Sequence, residues 1–174
     1  MTDTLTPEQR HHVMAAIHGK DTKPEKIVRQ YLWHQGYRYR LNHPRLPGKP
    51  DIVLLKYRTC IFVNGCFWHG HEGCKSYVMP KSNTEFWEKK ILRNQMRDRN
   101  VKEKLAQMGW HCITVWECAL KSDKRQETLQ YIEYTLNDFY LKDHTPKPTH
   151  TPTTFTPNFD PLPLAAEESE NNNN

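Results

Sequence analysis

Thr59-Cys60-Ile61-Phe62-Val63-Asn64-Gly65-Cys66-Phe67-Trp68-His69-Gly70-His71-Glu72-Gly73-Cys74 runs from a buried strand straight into a loop dense in chemistry. Thr59 to Val63 are all apolar or β-branched, which suits a strand covered on both faces. The residues from Asn64 to Cys74 bring together two cysteines, two histidines, a glutamate, two large rings and three glycines. Metal ligands, a candidate base and large rings do not belong together in a core. The loop therefore reads as carrying both a zinc site and part of a catalytic site, with the rest of the chain holding it against nucleic acid.

Upstream, Asp51-Ile52-Val53-Leu54-Leu55 reads as a second buried strand, opened by an acid, and Lys56-Tyr57-Arg58 turns the chain between the two. Asn42 to Pro50 is a turn-rich loop with three prolines and Gly48. Tyr37-Arg38-Tyr39-Arg40-Leu41 alternates and predicts a strand that is basic on one face. Two capping boxes precede it. Thr6-Pro7-Glu8-Gln9 starts a short helix with Val13, Met14 and Ile17 on its apolar face and Gly19 at its end. Thr22-Lys23-Pro24-Glu25 starts a second, with Ile27, Val28, Tyr31 and Leu32 at helical spacing and Gly36 closing it.

Downstream, Ser82-Asn83-Thr84-Glu85 starts the longest helix, which runs to Met108 before Gly109. Trp87, Ile91, Asn94, Asp98, Val101, Leu105 and Met108 form its inward stripe, and Glu88, Lys89, Arg93, Arg97, Arg99, Lys102 and Lys104 its outward face. Trp110 to Trp116 predicts a third strong strand, with Cys118 two residues past it. Leu129, Ile132, Leu136 and Phe139 mark a last helix. The order of helices, strands, helix, strand and helix predicts a small α/β fold with a central mixed sheet.

Composition narrows the class. The net charge is +5 over 174 residues, but the segment after His144 holds one Lys, one Asp and three Glu, so residues 1–144 carry +8. That balance suits a polyanionic partner. Mean hydropathy is −0.89, and much of the polarity lies in the Pro/Thr-rich, then acidic, then Asn-rich end. Residues 1–144 read as one domain and 145–174 as a disordered tail, which lacks the apolar surface to offset ordering. No apolar run reaches membrane-spanning length and the N-terminus lacks a signal-peptide core, so no membrane partner is expected. Five cysteines without a secretion signal argue against a disulfide framework and for reduced thiols in the cytoplasm.

Cys66, His71 and Cys74 place three ligands on one loop, and Cys118 can supply the fourth. Three thiolates and an imidazole make a closed structural zinc site. The alternatives are ordinary buried thiols, and His69 rather than His71 as the nitrogen ligand. Cys60 and Cys112, mid-strand, are assigned to the core. A zinc deaminase is excluded, because neither Cys-x-x-Cys nor His-x-Glu occurs near the loop. Asp51, at the mouth of a sheet, is either a Mg²⁺ ligand or a solvated turn residue. Glu25 is a capping-box glutamate or a site acid. Asp98 on an apolar stripe must be paired, protonated or bound to something. His69, if spare, is a candidate general base. Phe67 and Trp68 suit stacking on bases or wedging between them, whereas Trp87 reads equally as core.

Leu46 to Asp51, Ile61 to His71, Glu85-Phe86-Trp87, Arg97-Asp98-Arg99 and Val115-Trp116-Glu117-Cys118 together resemble the very short patch repair endonuclease family, in register from about Arg10 to Leu120. The resemblance implies a restriction-endonuclease-like fold with an added structural zinc. It implies a Mg²⁺-dependent enzyme that nicks one strand of double-stranded DNA at a T·G mismatch left by deamination of 5-methylcytosine. Asp51 and the Val63 carbonyl would bind Mg²⁺, His69 would act on the attacking water, and Glu25 and Asp98 would hold waters around the metal. Cys66, His71, Cys74 and Cys118 would hold Zn²⁺. Phe67, Trp68 and Trp87 would form a wedge, with Met14 pushing from the N-terminal helix. Asn64 stands where family members often carry a second histidine; an amide hydrogen-bonds but takes no proton at neutral pH. A bacterial, nucleoid-associated monomer is expected, with other mismatch-repair proteins as further partners. Two rival readings stand beside this one: a zinc-stabilised DNA-binding module with impaired catalysis, and a restriction-type nuclease that cuts unmismatched sites.

Overall fold

Alternation within the strands builds three layers. The computed structural model describes Thr6, Glu8, Gln9, His12 and residues 20–146. Its sheet has the order β1-β2-β3-β4, with β1 Arg40–Leu41, β2 Ile52–Leu54, β3 Thr59–Asn64 and β4 His111–Trp116. The first three strands are antiparallel, and β3 and β4 are parallel. A parallel pair needs a crossover, and α2, Thr84–Gln107, makes it. Ile52, Leu54, Ile61, Ile113 and Val115 point to one face, where Val28 and Leu32 of α1 (Lys23–His34) and Leu129, Ile132 and Leu136 of α3 (Arg125–His144) cover them. Val53 and Cys60 point to the other, against Leu46 and Leu105 of α2, with Phe62, Val101, Trp110 and Cys112 beside them. Each fully buried Leu or Ile contributes roughly 1.5–3 kcal/mol. Among the described residues no helix is long and apolar enough to cross a membrane.

These elements belong to the unit Met1–His144; of the second unit, Thr145–Asn174, only Thr145 and Pro146 are described. At the N-terminus the Thr6 and Gln9 capping box is formed in both directions, at 3.0 and 3.2 Å. Val13, Met14 and Ile17 lie outside the described residues. The Thr22 and Glu25 box at the start of α1 is also formed in both directions.

Several boundaries differ from the sequence expectation, each for a local reason. The strand expected from Tyr37 is only Arg40–Leu41. Tyr37 closes α1 instead: its N–H bonds Leu32 C=O at 2.9 Å across left-handed Gly36, and its ring packs on Tyr57. Leu55 leaves β2 for a 3₁₀ turn, Leu55–Tyr57. Trp110 precedes β4, because its N–H caps α2 on Leu105 C=O at 2.9 Å. Met108 was expected inward and is exposed, because it sits at the helix cap where the stripe has ended. Lys102, expected outward, is half-buried on a cleft wall. Asn83 starts α2 in the left-handed region without capping it by its side chain.

Candidate active site and metal centre

The β2–β3 register sets up the first feature. Ile52 pairs with Ile61, so the next inter-strand bonding position sets Pro50 opposite Val63. Proline has no N–H to donate. The Val63 N–H turns to Asp51 Oδ2 at 2.8 Å, and Pro50 has no N–H to offer the Val63 carbonyl. A carboxylate and a carbonyl that Pro50 cannot pair thus stand near each other at the sheet mouth, a donor set that suits a hard cation completed by waters. Burial pushes the Asp51 carboxyl above its ordinary value, and the charge on Glu25 adds to that; the Val63 N–H and the charges of Arg29 and His69 oppose it.

Asp51, Val63, Asn64, His69, Asp98 and Glu25 all line one cleft of about 700 Å³, together with Trp68, Lys49, Arg97, Lys102 and Glu117. His69 Nδ1 is hydrogen-bonded to Asp98 Oδ2. With the ring N–H donating there, Nε2 is left as the acceptor. Burial raises the Asp98 carboxyl, but the bond and charge of His69 and the charge of Arg97 outweigh it and hold it below its ordinary value. A depressed folded value stabilises the protein above the ordinary carboxylate range, and that contribution is lost as pH falls through the lowered value. Asn64 is buried at the end of β3, opposite Trp116. Glu25 is a true capping-box residue and also a cleft wall.

The loop after β3 folds back on itself through a ladder of short-range bonds, including His69 N–H to Gly65 C=O and His71 N–H to Cys66 C=O. It brings ligand atoms of Cys66, His71, Cys74 and Cys118 within 4.8 Å of one another. Ligands about 2.3 Å from zinc stand roughly 4 Å apart, so the cluster is compatible with structural zinc. His71 Nδ1 faces the thiols, 3.4 Å from the sulfurs of both Cys66 and Cys118, and its ring stacks on Trp116 at 4.0 Å. His69 points away from this group, to Asp98. Burial pushes the Cys66 thiol up to about 12 and raises Cys118, while the Ser76 N–H lowers Cys74. Burial likewise lifts Cys60 to about 12 and raises Cys112, which befits unreactive core thiols.

Helix α2 anchors the loop. Asn94 Nδ2 donates to Trp68 C=O at 2.9 Å and Gln95 Nε2 to Gly70 C=O at 3.2 Å. The approach is close because Gly70, at φ +61°, has no side chain; a Cβ there would lie 2.5 Å from Gln95 Nε2 and 2.8 Å from Ile91 Cγ2. Gly70→Ala is therefore expected to lose about 1–3 kcal/mol in chemical denaturation, from strain and overpacking together.

Phe67, Trp68 and Trp87 meet edge to face, with centroids 5.3–5.9 Å apart, and none of them is buried. Exposed Phe86 extends the cluster, and Lys90 Nζ lies 5.3–5.6 Å from the rings of Trp68, Phe86 and Trp87. The structure thus joins thirteen of the fourteen sequence-predicted residues in one region; Met14 falls outside the described residues. Sequence reasoning left the anchoring role of Asn94 unassigned, although an amide on an apolar stripe was its signal. It also left out Gln95, the Trp116 stack, and Glu117, whose carboxylate accepts the Cys66 N–H at 3.0 Å.

A mixed sheet with acids gathered at its mouth beside a basic helix is compatible with the restriction-endonuclease-like class. The family model described as DNA mismatch endonuclease Vsr matches residues 2–75. The type II nicking enzyme V.NmeAIP of Neisseria meningitidis serogroup A is 52% identical over 122 residues, which cover 70% of this chain and 86% of that protein. The type II nicking enzyme V.XorIIP of Xanthomonas oryzae pv. oryzae is 48% identical, over 69% of this chain and 88% of that one. The DNA mismatch endonuclease Vsr of Escherichia coli K12 is 41% identical, over 72% and 80%. The chain belongs to the Vsr DNA mismatch endonuclease family, and it is a DNA nicking endonuclease.

Proposed function

We propose that this enzyme nicks one strand of duplex DNA beside a T·G mismatch of the kind left by deamination of 5-methylcytosine, with Mg²⁺ as cofactor, as a monomer acting on the bacterial nucleoid. Residues 1–144 form the endonuclease domain in this reading. The observation that carries it is the position of Trp68, which belongs to the half-buried ring cluster and lines the same cleft as Asp51 and His69. Rings beside a nuclease cleft are placed to enter a base stack, and a wobble pair costs less to unstack than a matched one.

The side chains divide the work. Asp51 and the Val63 carbonyl would hold Mg²⁺, which when bound neutralises charge developing on the phosphate and acidifies the attacking water. His69 takes the water's proton at Nε2. Asp98 fixes the tautomer and orientation of that ring. Asn64 hydrogen-bonds to water on the cleft wall, Glu25 adds its negative charge there, and Lys49, Arg97 and Lys102 meet the DNA backbone. The products are a 5′-phosphate and a 3′-hydroxyl. Cys66, His71, Cys74 and Cys118 would hold Zn²⁺ outside the cleft, where four protein ligands would fix the loop and leave no open position for substrate.

Nicking of matched and T·G duplexes, with and without Mg²⁺, tests the proposal. Nicks confined to the mismatched duplex in Mg²⁺ are expected. Equal nicking of both would favour a nuclease for unmismatched sites, and binding without nicking would favour an impaired module. The paired change Phe67→Ala with Trp68→Ala is expected to remove the preference for T·G. Each stacking ring contributes about 1–3 kcal/mol, so the loss should be roughly a hundredfold for the mismatch and small for matched DNA. Fluorescence anisotropy on the two duplexes measures it, and an equal loss on both would make the rings structural.

A further inference from the structure

A capping-box glutamate ordinarily keeps its carboxylate in water at a helix surface. Glu25 instead is buried against the cleft, and both of its oxygens are engaged. Oε1 accepts from the N–H and hydroxyl of Thr22, at 3.3 and 2.8 Å. Oε2 accepts from the Asp21 N–H at 3.1 Å and from Arg29 Nη2 at 2.6 Å. Arg29 is the one cation among these partners. It lies a helical turn further along α1 and is itself only 7% exposed. Its Nη1 bonds the Asp21 carboxylate, and its carbonyl accepts from the Tyr39 hydroxyl at 3.1 Å.

Helix stability does not account for this arrangement. Well-packed apolar residues of similar size usually hold a fold as well as a buried ion pair does. Arg29 carries a further cost, since its Nε–H is buried without a partner among the described residues. The cleft does account for it. Glu25 and Asp51 are two carboxylates on one cleft, and the charge of Glu25 disfavours that of Asp51. A guanidinium behind Glu25 offsets that repulsion and, through its fixed fork, sets the direction of the carboxylate.

We propose that Arg29 is a positioning residue of the catalytic cleft, which holds the Glu25 carboxylate in one orientation as the charged wall beside Asp51. The proposal rests on the reading of Glu25 and Asp51 as working cleft acids, and it adds the residue through which the first of them is held. Arg29 acts through Glu25 and not on the DNA.

The test uses full-length, zinc-loaded Arg29→Met, Arg29→Lys, Glu25→Gln and the double variant Glu25→Gln with Arg29→Met. Single-turnover nicking, Mg²⁺ binding by calorimetry without DNA, T·G duplex affinity in EDTA, and melting temperature are measured for each. Arg29→Met is expected to lower nicking and Mg²⁺ affinity about 10–100-fold while duplex affinity in EDTA stays within about twofold. Arg29→Lys, which keeps the charge and a donor but not the fork, is expected to recover part of that loss. The double variant loses no more than Glu25→Gln alone. Parental nicking and Mg²⁺ affinity in Arg29→Met would overturn the proposal. So would losses that add in the double variant, or equal losses in Arg29→Met and Arg29→Lys that track melting. Parental nicking by Glu25→Gln would remove the reading of Glu25 itself, and is distinguished from a failure at Arg29 alone because that variant leaves Arg29 in place.

Discussion

Asp51→Ala protein is expected to bind a T·G duplex in Mg²⁺ at least as tightly as its parent and not to nick it. Asp51 is the carboxylate at the sheet mouth, and the Val63 carbonyl beside it cannot hold a cation alone. The expected fall in single-turnover rate is at least about a thousandfold, equivalent to roughly 4 kcal/mol of transition-state stabilisation. Duplex affinity should hold or rise, since a negative charge near the phosphate has been removed. Nicking by the variant at more than a few per cent of the parental rate would take the metal away from Asp51. The companion Asp51→Asn keeps an acceptor for the Val63 N–H. Its stability has a definite sign. Burial raises the folded value of the Asp51 carboxyl above its unfolded one, so ionisation opposes folding, and stability is lost as pH rises through the raised value. At neutral pH Asp51→Asn should therefore melt no lower than its parent while being inactive, as expected where activity is held at a cost in stability.

Removal of the zinc that the Cys3His cluster suits is expected to have the second large effect. Cys66, His71, Cys74 and Cys118 join the loop after β3 to the end of β4, and the same loop carries Trp68 and His69 into the cleft. Chelation, or Cys66→Ser, is expected to lower the melting temperature by more than about 10 °C. A ligand present at a thousand times its Kd contributes about 4 kcal/mol, and each kcal/mol is about 2–4 °C in a domain of this size. Nicking and mismatch preference should fall together, because His69 and the rings lose their placement at once. Zinc would be held by thiolates, whereas burial pushes the Cys66 thiol up to about 12. Binding therefore expels protons, and zinc affinity should weaken as pH falls, by about tenfold per pH unit for each proton released. Metal analysis together with calorimetric melting checks both points. A chelated protein with unchanged melting would leave the four residues without a structural metal.

The elements that were legible were those with a strong local pattern. The apolar runs at Ile52 to Leu54 and Thr59 to Val63 appear as central strands, and the Thr22 and Glu25 capping box starts α1 at the expected place. Edges were less legible. Tyr37 and Trp110 both look like strand residues by composition, yet each gives its N–H to the last turn of a preceding helix. A helix end competes for the same backbone donors as a ladder, and single-residue propensity does not register that competition.

By itself the sequence determined the α/β class, the ligand types in the loop, and the conflict of Asp98 and Asn94 with an apolar stripe, because these follow from residue chemistry and period. Only the tertiary structure decided the partners. It turned His71 to the thiols and His69 to Asp98, set Pro50 opposite Val63 so that the Val63 N–H meets Asp51, and placed Arg29 behind Glu25. Those choices depend on strand register and on how closely α2 approaches the loop at Gly70, and both are long-range distances that no short stretch of sequence encodes.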